Sequence, residues 1–122
     1  MSKRLIVISP KTLAWAVIEH SGNYLIGRFG NPGEVWLIGE KMLPPGPHLL
    51  DVDRHGVSRN HLGIIVNSDN ISINDLSSYG TFLEGQRMPK EPYFLQKTGK
   101  YELKLANPDF KTSTLLLFYM EN

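Results

Sequence analysis

The stretch Ile71-Ser72-Ile73-Asn74-Asp75-Leu76-Ser77-Ser78-Tyr79-Gly80-Thr81-Phe82-Leu83-Glu84-Gly85 decides the fold. Its first four residues alternate apolar and polar, the period of a strand with one buried face. An acid, hydroxyls and a glycine then break the alternation, which is the chemistry of a turn. Apolar residues resume at Phe82. The segment reads as a turn between two strands, and that turn is rich in hydrogen-bonding groups.

The same pattern continues outward. Leu5 to Ile8, Asn23 to Gly27 and Val35 to Ile38 read as strands, as do Leu62 to Val66, Tyr101 to Leu105 and Thr112 to Met120. In the segment Thr12 to Glu19, Thr12 can cap a short helix and the alanines favour one. Leu13, Trp15 and Val17 alternate at period two, which favours a strand instead. Glycines and prolines mark the turns, at Asn31-Pro32-Gly33, Gly85-Gln86, Pro89, Pro92 and Asn107-Pro108. The longest loop runs from Gly39 to Gly56 and holds Pro44, Pro45 and Pro47. Short strands punctuated at this spacing predict a β-sandwich or barrel.

Composition bounds the function. A chain of 122 residues, 41% hydrophobic and 20% charged, has room for one core, so residues 1–122 are expected to form a single domain. The formal net charge is +1, so no global field draws the chain to nucleic acid or to an acidic membrane. There are no cysteines, which excludes disulfides, thiolate nucleophiles and cysteine-ligated zinc. No apolar run approaches the roughly 20 residues that span a bilayer. Pro10 and Lys11 cut the Leu5–Ile8 run short of a signal peptide. A cytoplasmic location is the default expectation.

Three segments carry candidate chemistry: Ile26-Gly27-Arg28, Ser58-Arg59-Asn60-His61, and Asp75 to Phe82. Each is a strand-edge turn with arginine or hydroxyl donors. Converging in space, they could offer two guanidinium groups, several hydroxyls and turn amides to one anion. Arginine donates to phosphate in a planar fork, and hydroxyls and amides fill the remaining lone pairs. Taken singly, each arginine reads as a solvated surface residue.

In order and spacing, Gly27-Arg28, then Ser58-Arg59-Asn60-His61, then Asp75 to Gly85 resemble the forkhead-associated (FHA) domain family. Its pattern is a Gly-Arg, a Ser-Arg-x-His and a Ser-x-Asn-Gly-Thr in that order. The resemblance implies an all-β, FHA-type β-sandwich of about eleven mostly antiparallel strands, whose loops at one end bind phosphothreonine peptides. It implies that Arg28 grips the phosphate, that the hydroxyl and amide of Ser58 reach it, and that Arg59 contacts phosphate or peptide. Ser78 matches a loop position that donates to the phosphate. His61 matches a structural histidine that braces the loops, with Gly27, Gly80 and Thr81 in supporting positions. Tyr79 departs from the pattern, since it stands where the family has an asparagine that holds the peptide backbone. A tyrosine lacks the amide's paired donor and acceptor, and its ring is expected to stack on the peptide or cover the pocket. Glu84 also replaces a common asparagine. The segment from Arg28 to Ser58 is longer than usual, and its proline-rich loop is expected near the binding end.

Other chemistry is weighed against this reading. Ser58, His61 and Asp75 are the residue types of a hydrolase triad, but no nucleophile-elbow motif accompanies them. Asp51, Asp53, His55 and His61 could suggest a metal, although such a cluster in a polar loop is usually solvated. Gly27, Gly30 and Gly33 lack the lysine and βαβ context of a nucleotide loop. Trp15, Trp36, Tyr93, Phe94, Phe118 and Tyr119 read as packing residues. Arg54, His55, Arg59 and His61 form a local basic patch that would attract acidic residues beside a phosphothreonine. The expectation is a non-enzymatic module without cofactor or metal. It binds a phosphothreonine-containing protein or peptide, on a partner or on a neighbouring copy of itself. The alternative is an FHA-fold scaffold that binds its partner independently of phosphate.

Overall fold

The computed structural model describes residues 3–30, 33–39, 41–106 and 114–121. Among the described residues the chain forms thirteen strands and no helix. In order they are β1 (Lys3–Ile8), β2 (Trp15–Ile18), β3 (Gly22–Phe29), β4 (Glu34–Gly39), β5 (Met42–Leu43) and β6 (His48–Leu49). There follow β7 (Leu62–Val66), β8 (Ile71–Asp75), β9 (Thr81–Leu83), β10 (Gln86–Arg87), β11 (Tyr93–Phe94), β12 (Gly99–Leu105) and β13 (Thr114–Glu121). The expected strands are present, and the segment after Thr12 is a strand from Trp15. The count exceeds eleven because β5, β6, β10 and β11 are two-residue pairings, too short for alternation to mark in sequence. The predicted turns at Asn31-Pro32 and Asn107-Pro108, and the first residues of the Thr112–Met120 strand, lie outside the described residues.

The strands form two sheets that face each other. One has the order β10-β9-β12-β13-β1-β2-β5 and the other β11-β8-β7-β3-β4-β6. Each strand pairing is antiparallel. Period two decides which side chains go inside. Leu5 and Val7 of β1, Leu103 and Leu105 of β12, and Leu115 and Leu117 of β13 are buried from one sheet. Ile26 of β3, Leu37 of β4, Leu62 and Ile64 of β7, and Ile71 and Ile73 of β8 meet them from the other. These side chains belong to one hydrophobic core.

The long loop is pinned to this core. Met42, Leu50 and Val57 are buried, and the Leu50 amide donates to the Val35 carbonyl at 3.0 Å. Trp36 lies opposite Leu49 and Leu37 opposite His48, while Val35 lies opposite Arg28. Moving back along the loop from Leu50 therefore moves away from Arg28. Pro44, Pro45 and Pro47 fall toward the far end of β4, contrary to the expectation that they sit beside the binding loops. Only the second half of the segment returns to that end.

Gly39 shows how closely this sheet is fitted. It pairs with Tyr24 across β3 and β4, and a Cβ added there would lie 2.1 Å from Tyr24 Cδ1. The Tyr24 ring is buried, and its hydroxyl donates to the His20 carbonyl at 2.6 Å. Gly39→Ala must displace that ring, at a cost of roughly 1–3 kcal/mol, typical of overpacking. A lowered urea midpoint is the expected result, and an unchanged midpoint would show that the ring has room to slide.

Candidate functional site

At one end of the sandwich three turns meet: the end of β3, the residues leading into β7, and the turn from β8 to β9. Backbone hydrogen bonds tie them together. The Arg28 amide donates to the Ser58 carbonyl at 3.1 Å, and the His61 amide to the Ile26 carbonyl at 3.0 Å. The Leu76 amide donates to the His61 carbonyl at 2.9 Å. Gly27 allows the closest approach, since an added Cβ would lie 1.7 Å from the Arg59 carbonyl oxygen. Any larger residue there would push the Ser58 turn off β3.

The His61 ring completes the join. It is fully buried, and its Nδ1 accepts the Ser58 amide hydrogen at 3.0 Å. Its Nε2 lies 3.0 Å from the Gly80 carbonyl oxygen. A ring that accepts at Nδ1 and faces a carbonyl at Nε2 carries its one proton on Nε2 and is neutral. Burial lowers the His61 pKa below the usual histidine value, against the opposing effects of the Gly80 hydrogen bond and the Asp75 charge. His61 therefore adds no charge to the basic patch expected around Ser58. This is a correction to that reading, because the ring lies inside, where desolvation penalises the cation.

The turn after β8 is built on a buried carboxylate. Asp75 shares the inward face of Ile71 and Ile73. Its Oδ1 accepts from the Ser77 amide at 3.0 Å, the Ser77 hydroxyl at 2.6 Å and the Thr81 hydroxyl at 3.0 Å. The Lys90 ammonium pairs with Oδ2 at 3.1 Å and also donates to the Ser77 carbonyl. Burial pushes the Asp75 carboxyl up, but hydrogen bonds from Ser77, Lys90 and Thr81 outweigh it and hold the group below its ordinary value. Gly80 closes the turn at a φ of 104°, where a side chain would be strained. Its amide donates to Ser77 Oγ at 2.7 Å, and its carbonyl also accepts the Ala106 amide at 3.0 Å.

The outward-facing groups form a separate set. Arg28 is exposed, and its stem lies on Gly33, where an added Cβ would meet Cγ at 3.1 Å and Nε at 3.4 Å. Ser58 Oγ accepts the Ser78 amide at 3.0 Å, which leaves the Ser58 hydroxyl hydrogen to donate outward. The Ser58 amide is engaged by His61, so the hydroxyl is the donor this serine can offer a ligand. The expectation that both would reach a phosphate is corrected accordingly. Ser78, Arg59 and Tyr79 are exposed, Tyr79 at 68%. Tyr79 borders a hollow of about 380 Å³ with His55, Gly56 and Ala106. A larger hollow of about 570 Å³ lies on the outer face of the six-stranded sheet, lined by residues including Leu25, Ile38, Gly63, Ile65 and Leu76. It offers no charged group.

This geometry does not make a catalytic triad. His61 meets the Ser58 amide rather than its hydroxyl, and Asp75 is bonded to Ser77, Thr81 and Lys90. Among the described residues no group of three His, Cys, Asp or Glu side chains is placed to hold a metal ion. Lys90 was not legible as part of the site. Its signal would have been the strand parity of Asp75, a carboxylate predicted to point inward and so in need of a cation.

Comparison with known proteins places this architecture. The FHA domain family matches residues 24–99, more than half of the chain. No curated protein sequence matches it. Among solved structures, the FHA domain of the CT664 protein from Chlamydia trachomatis is 18% identical with a TM-score of 0.61, the match covering 100% of this chain and 99% of that one. The N-terminal FHA domain of Rad53p from S. cerevisiae, in complex with a phosphothreonine peptide, is 17% identical with a TM-score of 0.60, covering 100% and 94%. The FHA domain of an Arabidopsis thaliana hypothetical protein is 21% identical with a TM-score of 0.53, covering 97% and 83%.

The neutral state of His61 gives the site a pH dependence. With its folded-state pKa lowered, its contribution is fully present above the unfolded value of about 6.5 and is lost as pH falls through the lower folded value. Urea midpoints measured from pH 8 to pH 5 should fall below about pH 6.5. The step should be absent in His61→Gln, and an identical step in that variant would assign it elsewhere.

Proposed function

The chain belongs to the FHA domain family, and from that premise we propose that it is a phosphothreonine reader whose ligand binds across the Arg28, Ser58 and Ser78 turns. The observation that carries the reading is the state of the polar groups at this end. The Ser58, Ser78 and Gly80 amides are engaged internally, while Arg28 is exposed and, among the described residues, no acceptor engages the Ser58 hydroxyl hydrogen. Among the described residues, no ion pair or side-chain hydrogen bond engages Arg28. An exposed guanidinium beside outward hydroxyls is matched by a tetrahedral dianion, which accepts several charge-assisted hydrogen bonds at once. Arg59 adds a second guanidinium on the same turn as Ser58. The neighbouring Rad53p structure, which contains a phosphothreonine peptide, supports the ligand class. No reaction is required of these residues, and the site works by affinity alone.

Tyr79 favours a second contribution. Its ring stands exposed beside the hollow formed with His55, Gly56 and Ala106, which suits stacking against the peptide main chain. A scaffold that binds its partner without phosphate would use the same ring and leave Arg28 idle.

Titration of matched peptides distinguishes these readings. A phosphothreonine peptide should bind while its unphosphorylated form does not. Arg28→Ala should weaken binding roughly ten- to a hundredfold, the effect of one charge-assisted hydrogen bond. Equal binding of both peptides, or an unchanged affinity in Arg28→Ala, would overturn the phosphate-dependent reading in favour of the scaffold.

A further inference from the structure

We propose that the outer face of the seven-stranded sheet is a two-fold interface with a second copy of this chain, in which Lys100 of each copy meets Glu102 of the other. The inference does not depend on the phosphopeptide reading. An antiparallel sheet with one solvated face carries polar residues on that face. The central strands β1 and β13 break the rule. β1 contains Leu5-Ile6-Val7-Ile8 and β13 contains Leu115-Leu116-Leu117-Phe118. Leu5, Val7, Leu115 and Leu117 are buried in the core. Ile6, Ile8, Leu116 and Phe118 alternate with them on the outer face, where they keep part of their surface exposed. Strands that are apolar on both sides belong to sheets covered on both faces.

The strand register extends this apolar face into two rows. Leu43, Val17, Ile6 and Phe118 lie side by side across β5, β2, β1 and β13, and Lys100 of β12 ends the row. Trp15, Ile8 and Leu116 form the next row, which ends in Glu102. Trp15 is 53% exposed and Leu43 44%. Lys100 and Glu102 are exposed, and among the described residues no ion pair or hydrogen bond engages the ammonium or the carboxylate. Arg4, at the border of the patch, is by contrast paired with Glu19 at 3.5 Å.

The two rows complement each other, as a two-fold interface requires. An axis lying across the strands, between the rows, sets the first row of one copy on the second row of the other. Val17 then meets Trp15, Ile6 meets Ile8, Phe118 meets Leu116 and Lys100 meets Glu102, and symmetry repeats each contact. Packed sheets cross at about 30°. The charged pair stands about 7 Å from the centre of the patch, so that crossing displaces it by about 4 Å, within the reach of a lysine stem. An axis parallel to the strands would instead set Lys100 on Val17 and Glu102 on Trp15, leaving both charges on apolar surface. With its flanking positions the face covers on the order of 600 Å² in plan, and more in accessible area, against the ~800 Å² per partner of a stable interface. The hollow on the six-stranded sheet is concave, and two copies of it face to face would enclose a void, which forfeits packing contacts.

The test is sedimentation velocity of the chain over a concentration series. The wild type should show a monomer–dimer equilibrium. Lys100→Glu and Glu102→Lys should each weaken the dimer roughly tenfold, because each places two like-charge pairs where two opposite-charge pairs stood. The double reversal should return the dimer to near wild-type strength. Phe118→Lys should leave only monomer, and the charge reversals, at exposed positions, carry the test if that variant does not fold. Phosphothreonine-peptide affinity should be the same in the wild type and in both charge variants, since the face excludes the Arg28, Ser58 and Ser78 turns. A chain that stays monomeric at every concentration overturns the inference and assigns the face to another occupant. A dimer indifferent to either reversal, or one that the double reversal fails to restore, overturns it as well.

Discussion

The His61 ring bridges the Ser58 turn and the β8–β9 turn, which the bond from the Ser78 amide to Ser58 Oγ also joins. One ring nitrogen receives the Ser58 amide and the other meets the Gly80 carbonyl. This arrangement works for a single protonation state, because an imidazolium has no acceptor for the Ser58 hydrogen. Burial favours that same neutral state. The backbone of the same residue bonds to Ile26 and Leu76, so one position is tied to β3, to the Ser58 turn and to the β8–β9 turn. Turns of this length have many conformations when free, and ordering them costs free energy. The rigid sandwich anchors their ends, and His61 fixes their mutual position.

Asp75 does the corresponding work inside one turn. A buried carboxylate is tolerable only when its lone pairs are matched by donors. Here the donors are Ser77, Thr81 and Lys90, and they are also the groups that shape the turn. Removing the desolvation cost and fixing the backbone are therefore a single act. The Ser77 hydroxyl donates to Asp75 and accepts from the Gly80 amide, which sets the turn that presents Ser78 and Tyr79.

Much of this was legible in the sequence, for identifiable reasons. Clean alternation marked Ile71–Asn74 and Tyr101–Leu105, and the other strands of five or more residues were marked by apolar and β-branched runs between glycine and proline turns. Two-residue pairings such as β5 and β10 carry no period, and tertiary contacts alone define them. The motif residues Arg28, Ser58, His61 and Ser78 were found because turn chemistry is local and their order is distinctive. Which donors are engaged was not legible. The Ser58 amide is engaged by a ring three residues onward, and the position of the proline-rich loop follows from its register against β4. Lys90 was missed because it lies outside the motifs, and only the fold brings it to Asp75.

The division between engaged and open groups is what makes the site suited to recognition. Ser58 N–H, Ser78 N–H, both polar atoms of the Gly80 peptide, Ser77, Asp75 and Lys90 are satisfied without a ligand. Their geometry therefore exists beforehand, and binding need not order the backbone, which is a major cost of association. The open groups are side-chain ends on that frame. Even these are partly held, as Arg28 is by Gly33. A flexible arginine loses rotamer freedom when it grips an anion, and one already laid along a glycine surface loses less. Gly33 leaves flat backbone on which the Arg28 stem lies.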